Sequence, residues 1–534
     1  MSYLYNQSAN VVTFSTGANP QLDVQDRLRV STPAQQWWFV ASTDTSEDLR
    51  YNKLATGNGA NTLFIQNLAA VELAGGTDTN SSIIRASRRR HKILPAISHQ
   101  WHSTINWEGA DTNTTKRAGM FTNFNGTFWY VDNTDVGVAS RRRLIDGTLV
   151  EVSNTRSTFN YDKLDGTGPS GVNITSKIIQ NLSTYVSTSN VGIQVQNGDV
   201  ANTNVYNVVF NTQNNVSSIL ATGSKVLVQG ITPNTYNGIA MVSNTTSSTI
   251  TLTYTKNPGT YSSGVATANL THTGLMDAHS WFIDYEGGKS ARVRYGIVSS
   301  IGPVICHIQD FSNFPTGSPF FSAPALMERA EIVKTGAMSS YNPTMTIHGV
   351  TYNVEAEIAL NPGFGFANSN SSGVSYTAVG NNFPILGLSI RYGEPYQRTD
   401  LQLRNISIID ANNNLIGATG GGPGAVTYYA ASYQWQLILN PTIGGTVPSP
   451  VNIGKASQYW AYGASTTCSG GIPLVGGIFS SASSIDITQA LNFINLGSNI
   501  NYTSADQVVL VVKMIDAGNV SGNIFATVSF LESL

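Results

Sequence analysis

Residues Trp281–Val298 read WFIDYEGGKSARVRYGIV. Two strand-like runs flank Gly287-Gly288-Lys289-Ser290, a turn signal. After the turn, Ala291, Val293, Tyr295 and Ile297 alternate with Arg292, Arg294, Gly296 and Val298. A period of two puts the first set on one sheet face and both arginines on the other. The expected partner lies far upstream, in the glycine-rich Asp162–Gly171, DKLDGTGPSG. Between the two runs a stretch with turns and strand periodicity of its own. The chain therefore reads as one β domain split by an insertion, with a second β domain after it.

The expected boundaries are 1–80 for an N-terminal arm and strands, 81–186 plus 277–383 for a split β-sandwich, 187–276 for a small inserted β domain, and 384–534 for a C-terminal β-sandwich. The fold class is mainly all-β, sandwich or jelly-roll-like, with few short helices. Several stretches carry this reading. Phe121–Asp132 is a hairpin over Asn125-Gly126, and Leu144–Val152 turns at Asp146-Gly147. In the insert, Thr249, Thr251 and Thr253 alternate with Ile250, Leu252 and Tyr254. Tyr433–Pro441 alternates, Gln507–Ile515 is apolar throughout and fits a strand buried on both faces, and Asn523–Leu531 alternates again. One helix is expected, at Ser81–Ile93. Its serines would cap the start, and Arg88, Arg89, Arg90 and Lys92 would meet the negative end of the dipole before Pro95 stops it.

Only 11% of the residues are charged and the net charge is −2, against about 25% charged in ordinary soluble domains. The polar surface must come from Asn, Ser, Thr and Gln, which suits hairpin turns and subunit contacts with little charge to desolvate. Near-neutrality argues against a nucleic-acid partner, and no apolar run is long enough to insert in a membrane as a helix. The N-terminal MSYLYNQSAN lacks the basic and apolar regions of a secretory signal. The two cysteines, Cys306 and Cys468, exclude a disulfide framework, and free thiols are expected.

No catalytic, metal or cofactor residue is assigned, and no enzymatic activity is expected. His91, His99, His102 and Glu108 lack metal-ligand spacing. Cys306 and His307 are neighbours on a strand and point to opposite faces. Asp284 and Glu286 share a face, with no acid partner for glycoside hydrolysis. The candidate contact residues are the arginine clusters Arg88, Arg89, Arg90 and Arg141, Arg142, Arg143, together with Trp37 and Trp38, two adjacent rings that cannot both face one way on a strand.

Several of these stretches, in their order, resemble a family of virion proteins of tailed bacteriophages. They are DRLRVSTP at Asp26–Pro33, the arginine-rich Arg85–Lys92, NYDKLDGTGPSG at Asn160–Gly171, FIDYEGGKSARVRYG at Phe282–Gly296, YQWQLILNPTIGG at Tyr433–Gly445 and the C-terminal strand pair. In that family the counterpart of Asp162–Gly171 runs almost directly into the Trp281 strand, so the intervening residues look like an insertion. The resemblance implies a structural component of the virion, in tail, baseplate or fibre, acting by assembly with itself and with other virion proteins. The alternatives are a capsid surface or vertex protein, a carbohydrate-binding tail adhesin that stacks host glycan on Trp37, Trp38 and Tyr236, and a glycan depolymerase. Scarce charge and uncovered edge strands favour a closed homo-oligomer, and the three-fold symmetry common in fibres and baseplates makes it a homotrimer.

Overall fold

The computed structural model describes residues 50–65, 68–93, 97–133, 135–144, 146–175, 177–194, 203–254, 257–265, 268–286, 292–311, 325–336, 342–354, 363–375, 380–391, 400–411, 432–480, 482–487, 496–497, 499–500, 504–516 and 523–533, with strand backbone also at 5–6, 11–12 and 34–40. The turn at 287–291 lies outside them. The protein is all-β, built from antiparallel sheets, with short 3-10 turns such as Arg156–Thr158 and Gly274–Met276. It divides into two compact units: Met1–Ala86 with Lys92–Glu357, and Ser87–His91 with Ile358–Leu534.

The first unit holds a β-sandwich. One sheet runs Leu149–Thr155, Asp135–Arg143, Gly126–Asp132, Thr114–Phe121, Glu328–Lys334, Ser82–Ser87, Tyr51–Thr56. The other runs Gly302–Asp310, Arg292–Ser299, His279–Glu286, Ser98–Asn106, Thr344–Val354, Ala70–Gly75, Ala60–Ile65, with Ala34–Val40 also on Thr344–Val354. Strands from within residues 1–80 are thus built into both sheets. The sheets meet over aromatics. Trp129 of one packs edge-on against Trp281 and Tyr295 of the other, at 4.7 and 5.7 Å between ring centres.

The expected alternation holds, since Val293, Tyr295 and Ile297 are all buried. Arg294, on the opposite face, is buried as well and pairs with Asp284, which also accepts from Ser98 at 2.9 Å. The expected ladder partner is corrected. His279–Glu286 pairs with Ser98–Asn106 and with Arg292–Ser299, not with Asp162–Gly171. That glycine-rich segment closes on itself around Asp162, whose carboxylate accepts from the amides of Leu164 and Ser170. Backbone bent around one side chain cannot also run a straight ladder.

The helix expected at Ser81–Ile93 is likewise corrected. Ser82–Ser87 is a strand between Glu328–Lys334 and Tyr51–Thr56, followed by a two-residue strand at His91–Lys92. From Ile83 to Ser87 every side chain is buried, so neither face shows the period that would have marked a strand. The hairpin read over Asn125-Gly126 forms with its turn shifted to Thr122–Asn125, where the Thr122 amide donates to Asn125 O at 2.7 Å and Gly126 already pairs with Phe121, and the turn at Asp146-Gly147 forms as read. Gly126 has φ +130°, and a Cβ there would run into Met120 O and Phe121.

The insertion is a closed six-stranded barrel, in the order Lys177–Gln194, Thr203–Thr212, Thr249–Tyr254, Gly238–Thr245, Lys225–Gln229, Asn269–Thr273. It begins upstream of Ser187, because one long strand pairs first with Asn269–Thr273 and then with Thr203–Thr212. Its core includes Leu182, Val208, Phe210, Val226, Ile250 and Leu252. Tyr236 belongs to that core and is buried, not an exposed sugar platform; its hydroxyl donates to Gly259 O at 2.9 Å.

The second unit is another sandwich. Its six-stranded sheet runs Val451–Ile453, Ser457–Ala461, Asn382–Ile390, Gln507–Asp516, Ser432–Leu439, Ile472–Phe479. Gln507–Asp516 is central there, and its apolar run Val508–Val512 is buried. The facing sheet runs Gly363–Asn368, Asn523–Ser533, Asp400–Asp410, Ala482–Asp486. Across the two sheets Tyr433 donates to Asp410 at 2.8 Å, and Glu532 accepts from Ser457 at 2.9 Å.

Candidate assembly surface

Among the described residues, several of the chain's few charges are spent inside the fold. Arg85 lies over the Tyr51 ring, with Glu328 at 4.0 Å. Lys116 is buried against Asp111 at 2.6 Å and donates to the carbonyls of Trp107 and Gly109. Arg329 and Arg117 hold Glu331 between them, and Lys334 donates to the carbonyls of Gly76 and Thr77. Burial alone would raise the Glu331 carboxyl, but the two guanidinium groups outweigh it and hold the group down at about 2.

The arginine clusters follow the same habit. Arg88 pairs with Asp506 at 2.7 Å within the second unit, and Arg90 is buried. Arg141 pairs with Glu151 across a ladder and lies near the Phe128 ring; Arg142 points to the other face and is buried; Arg143 stacks over Phe124. Arg89 is half-buried. Trp37 and Trp38 are in register with Tyr352 and Thr351 on the strand Ala34–Val40, and their rings lie outside the described residues.

The residues considered for chemistry are also engaged within the fold. Asp284 is committed to Arg294. Burial pushes the Cys306 thiol well above its ordinary value, and burial lowers His307 to about 4, so that ring is neutral at neutral pH. It accepts from Asn160 N at 3.3 Å and stacks on Phe159. His99 bonds Tyr352 and His102 bonds Ser280, each at 2.7 Å, from opposite faces of one strand.

What faces water instead is apolar and amide-rich. Phe364 is 79% exposed, Ile478 73%, Ile301 72% and Phe366 61%. The two phenylalanines come from the edge strand Gly363–Asn368, GFGFAN, whose alternation turns Ala367 into the core and both rings outward. Gly365 is required between them, because a Cβ there would strike the Phe530 ring. In register beside Phe366 lie Ser529 and then Asn405; beside Asn368 lie Thr527 and Ser407. Side-chain hydrogen bonds tie this face together: Thr527 to Asn368 at 2.9 Å, Ser407 to Ser484 and Ser484 to Asn405 at 3.3 Å. Ile409, in register with Phe525, extends the apolar part. The alternating GFGFAN was readable as a strand with one aromatic face. That this face is the outer one depends on which side the second sheet covers.

No family model and no curated protein matches the chain. Solved structures that align with it include the carbohydrate recognition domain of Emp47p, 7% identical over 61% of this chain and 97% of that one, with TM-score 0.24. A legume lectin-like domain from Entamoeba histolytica is 9% identical over 60% of this chain and 98% of that one, with TM-score 0.25. Likeness at this level carries neither topology nor ligand from those domains to this chain.

Proposed function

We propose that this protein is a structural component of a phage-type particle, in tail, baseplate or fibre, and that it acts by assembly with copies of itself and with neighbouring virion proteins. The virion part rests on the sequence resemblance. One structural observation carries the assembly part: the edge strand that puts Phe364 and Phe366 into water beside a face of Asn, Ser and Thr. Large exposed rings on a strand that is an edge among the described residues are a liability in a free monomer, and they become contact area when another surface covers them. The hydroxyl and amide face can hydrogen-bond across a contact, directly or through water, without desolvating charge.

Sedimentation of the wild type and of a Phe364→Ser/Phe366→Ser variant tests this. The wild type should sediment as a closed oligomer, a trimer in this reading, and the variant should shift toward monomer while keeping its β-type circular dichroism. A wild type that stays monomeric at micromolar concentration would remove the assembly argument.

A second reading, a glycan-binding adhesin, draws on the same rings, since exposed aromatics beside hydrogen-bonding side chains can stack on sugars. Retention on a glycan array, lost in the double variant, would favour it over assembly.

A further inference from the structure

The inserted barrel joins the sandwich through a narrow neck. Ile174 leads toward the barrel and Gly274–Met276 leads out of it. The two connections touch at Gly274, where a Cβ would strike Asn173 O and Ile174 Cα. Ile174 N donates to Leu164 O at 2.9 Å, and Leu275 and Met276 are buried. A module carried on such a neck swings by default unless a further contact holds it. Beside the neck lies a cleft of about 200 Å3, lined by Ser224, Lys225 and Met241 of the barrel and by Asn106, Thr346 and His348 of the sandwich, among others. Where a cleft stands, side chains do not interdigitate, so packing there does not set the angle between barrel and sandwich.

A buried carboxylate spans this junction. Glu108 follows the strand Ser98–Asn106 in a left-handed backbone conformation, φ 55°, with Gly109 at 87° after it. Its amide donates to Asn106 Oδ1 at 2.8 Å. One carboxylate oxygen accepts from the hydroxyl of Thr344 and the other from that of Thr346, both on the sandwich strand Thr344–Val354. The ammonium of Lys225, at the start of a barrel strand, pairs with the same carboxylate and lies 3.4 Å from Thr346 Oγ1.

We infer that the Glu108–Lys225 pair is the clamp that fixes the inserted barrel's orientation on the sandwich, and that without it the barrel swings about its neck while remaining folded. The sandwich half of the clamp is rigid. A left-handed backbone is unfavourable for a residue with a Cβ, and three hydrogen bonds from the sandwich hold Glu108 in it. Burial would raise its carboxyl, but Lys225 and the two threonine hydroxyls outweigh burial and keep it below its ordinary value, so it stays charged.

The barrel half is equally placed. Val226 and Val228 belong to the barrel core, so Lys225 points outward from it, and loss of its side chain takes nothing from that core. Its carbonyl oxygen is met by His272 Nδ1 at 2.8 Å, on the strand Asn269–Thr273 that leads to the neck. The pair is nearly dry, with the Glu108 side chain 1% exposed and that of Lys225 16%. Salt screens such a pair little, and removing one partner strands the other charge away from water. The seating is a property of the single chain and does not rest on the assembly proposed above. In a protein that assembles, it means that a contact does not have to order a loose module.

Distances between two spin labels test the clamp in the full chain. The labels go on Ser247→Cys, exposed in the barrel, and Ser300→Cys, exposed on the sandwich, while the native Cys306 and Cys468 are buried. Dilution with unlabelled protein restricts the reading to distances within one chain. The parent chain should give one narrow distribution. In Lys225→Met the population away from the seated distance should rise at least about a hundredfold, because one charge of a buried pair is left unmatched. The amides of Thr249–Tyr254 should meanwhile keep their protection from hydrogen exchange, which shows that the barrel is still folded. Glu108→Gln leaves the barrel sequence untouched and should broaden the distribution too; it decides the matter if Lys225→Met costs the barrel its protection. The double variant should be no broader than Lys225→Met alone, since both changes act through one bond. A narrow, unshifted distribution in Glu108→Gln or in a folded Lys225→Met, a broad one in the parent chain, or effects that add in the double variant would overturn the clamp.

Discussion

Glu331 illustrates how single residues set stability in this chain. It is buried between Arg329 and Arg117, and together they hold its carboxyl at about 2, below the ordinary 4.5. A depressed carboxylate contributes stability that is fully present above the unfolded value and is lost as pH falls through the folded one. The difference corresponds to about 3 kcal/mol, as an order of magnitude. Glu331→Gln should therefore unfold at lower urea near neutral pH, and the gap to the wild type should close as pH falls from about 4.5 toward about 2. Urea midpoints for both proteins along that pH series check this; curves that stay parallel contradict it. Sequence reading placed Arg294 on a strand face correctly but could not place it indoors. A charged residue in an alternating pattern signals solvent, but Arg294 is buried on the face opposite Tyr295, where Asp284, ten positions away, is its partner.

At the scale of elements, the barrel is the clearest case. Every strand has two neighbours in the ring, and a hydrophobic core lies within it. A fragment spanning 174–276 should fold alone, with β-type circular dichroism and a cooperative melt. A fragment begun at Ser187 should not, because it lacks the part of the long strand that pairs with Asn269–Thr273 and closes the ring. Equal folding by the two fragments would count against the closed barrel. The insert was legible from its threonine alternation and its turns. Its first strand was not, because an eighteen-residue run of mixed polarity that changes partners midway shows no single period. The helix expected at Ser81–Ile93 failed for a related reason: a strand buried on both faces loses its alternation, and arginines held by Glu328 and Asp506 imitate a dipole-matched helix end.

For the whole molecule, the placement of charge matters most. Charge is scarce throughout, at 11% of the residues, and several acids and bases are paired in the interior. Contacts made by the surface of such a chain should be apolar and amide in character, and salt screens those weakly. The oligomer proposed above should therefore sediment alike in low and in high salt. Dissociation by high salt would instead point to Arg89 and other partly exposed cations as the contact. Gold-labelled antibody on intact particles would test the virion assignment directly, since labelling confined to tail or tip agrees with it and unlabelled particles do not.

The all-β class, the two tight hairpins, the existence of an insertion and the alternating strands of the C-terminal sandwich were legible in the linear order of residues. These follow from periodicity and turn chemistry, which are local and survive in a linear string. Which strands are neighbours, which charges are buried and which face of GFGFAN meets water emerged only once the sheets were packed. Sheet partners can lie well over a hundred residues apart, as Gly363–Asn368 and Asn523–Ser533 do, or more than two hundred, as Ser82–Ser87 and Glu328–Lys334 do. A residue's burial depends on what the second sheet covers, and nothing in the residue's own neighbourhood in sequence encodes that.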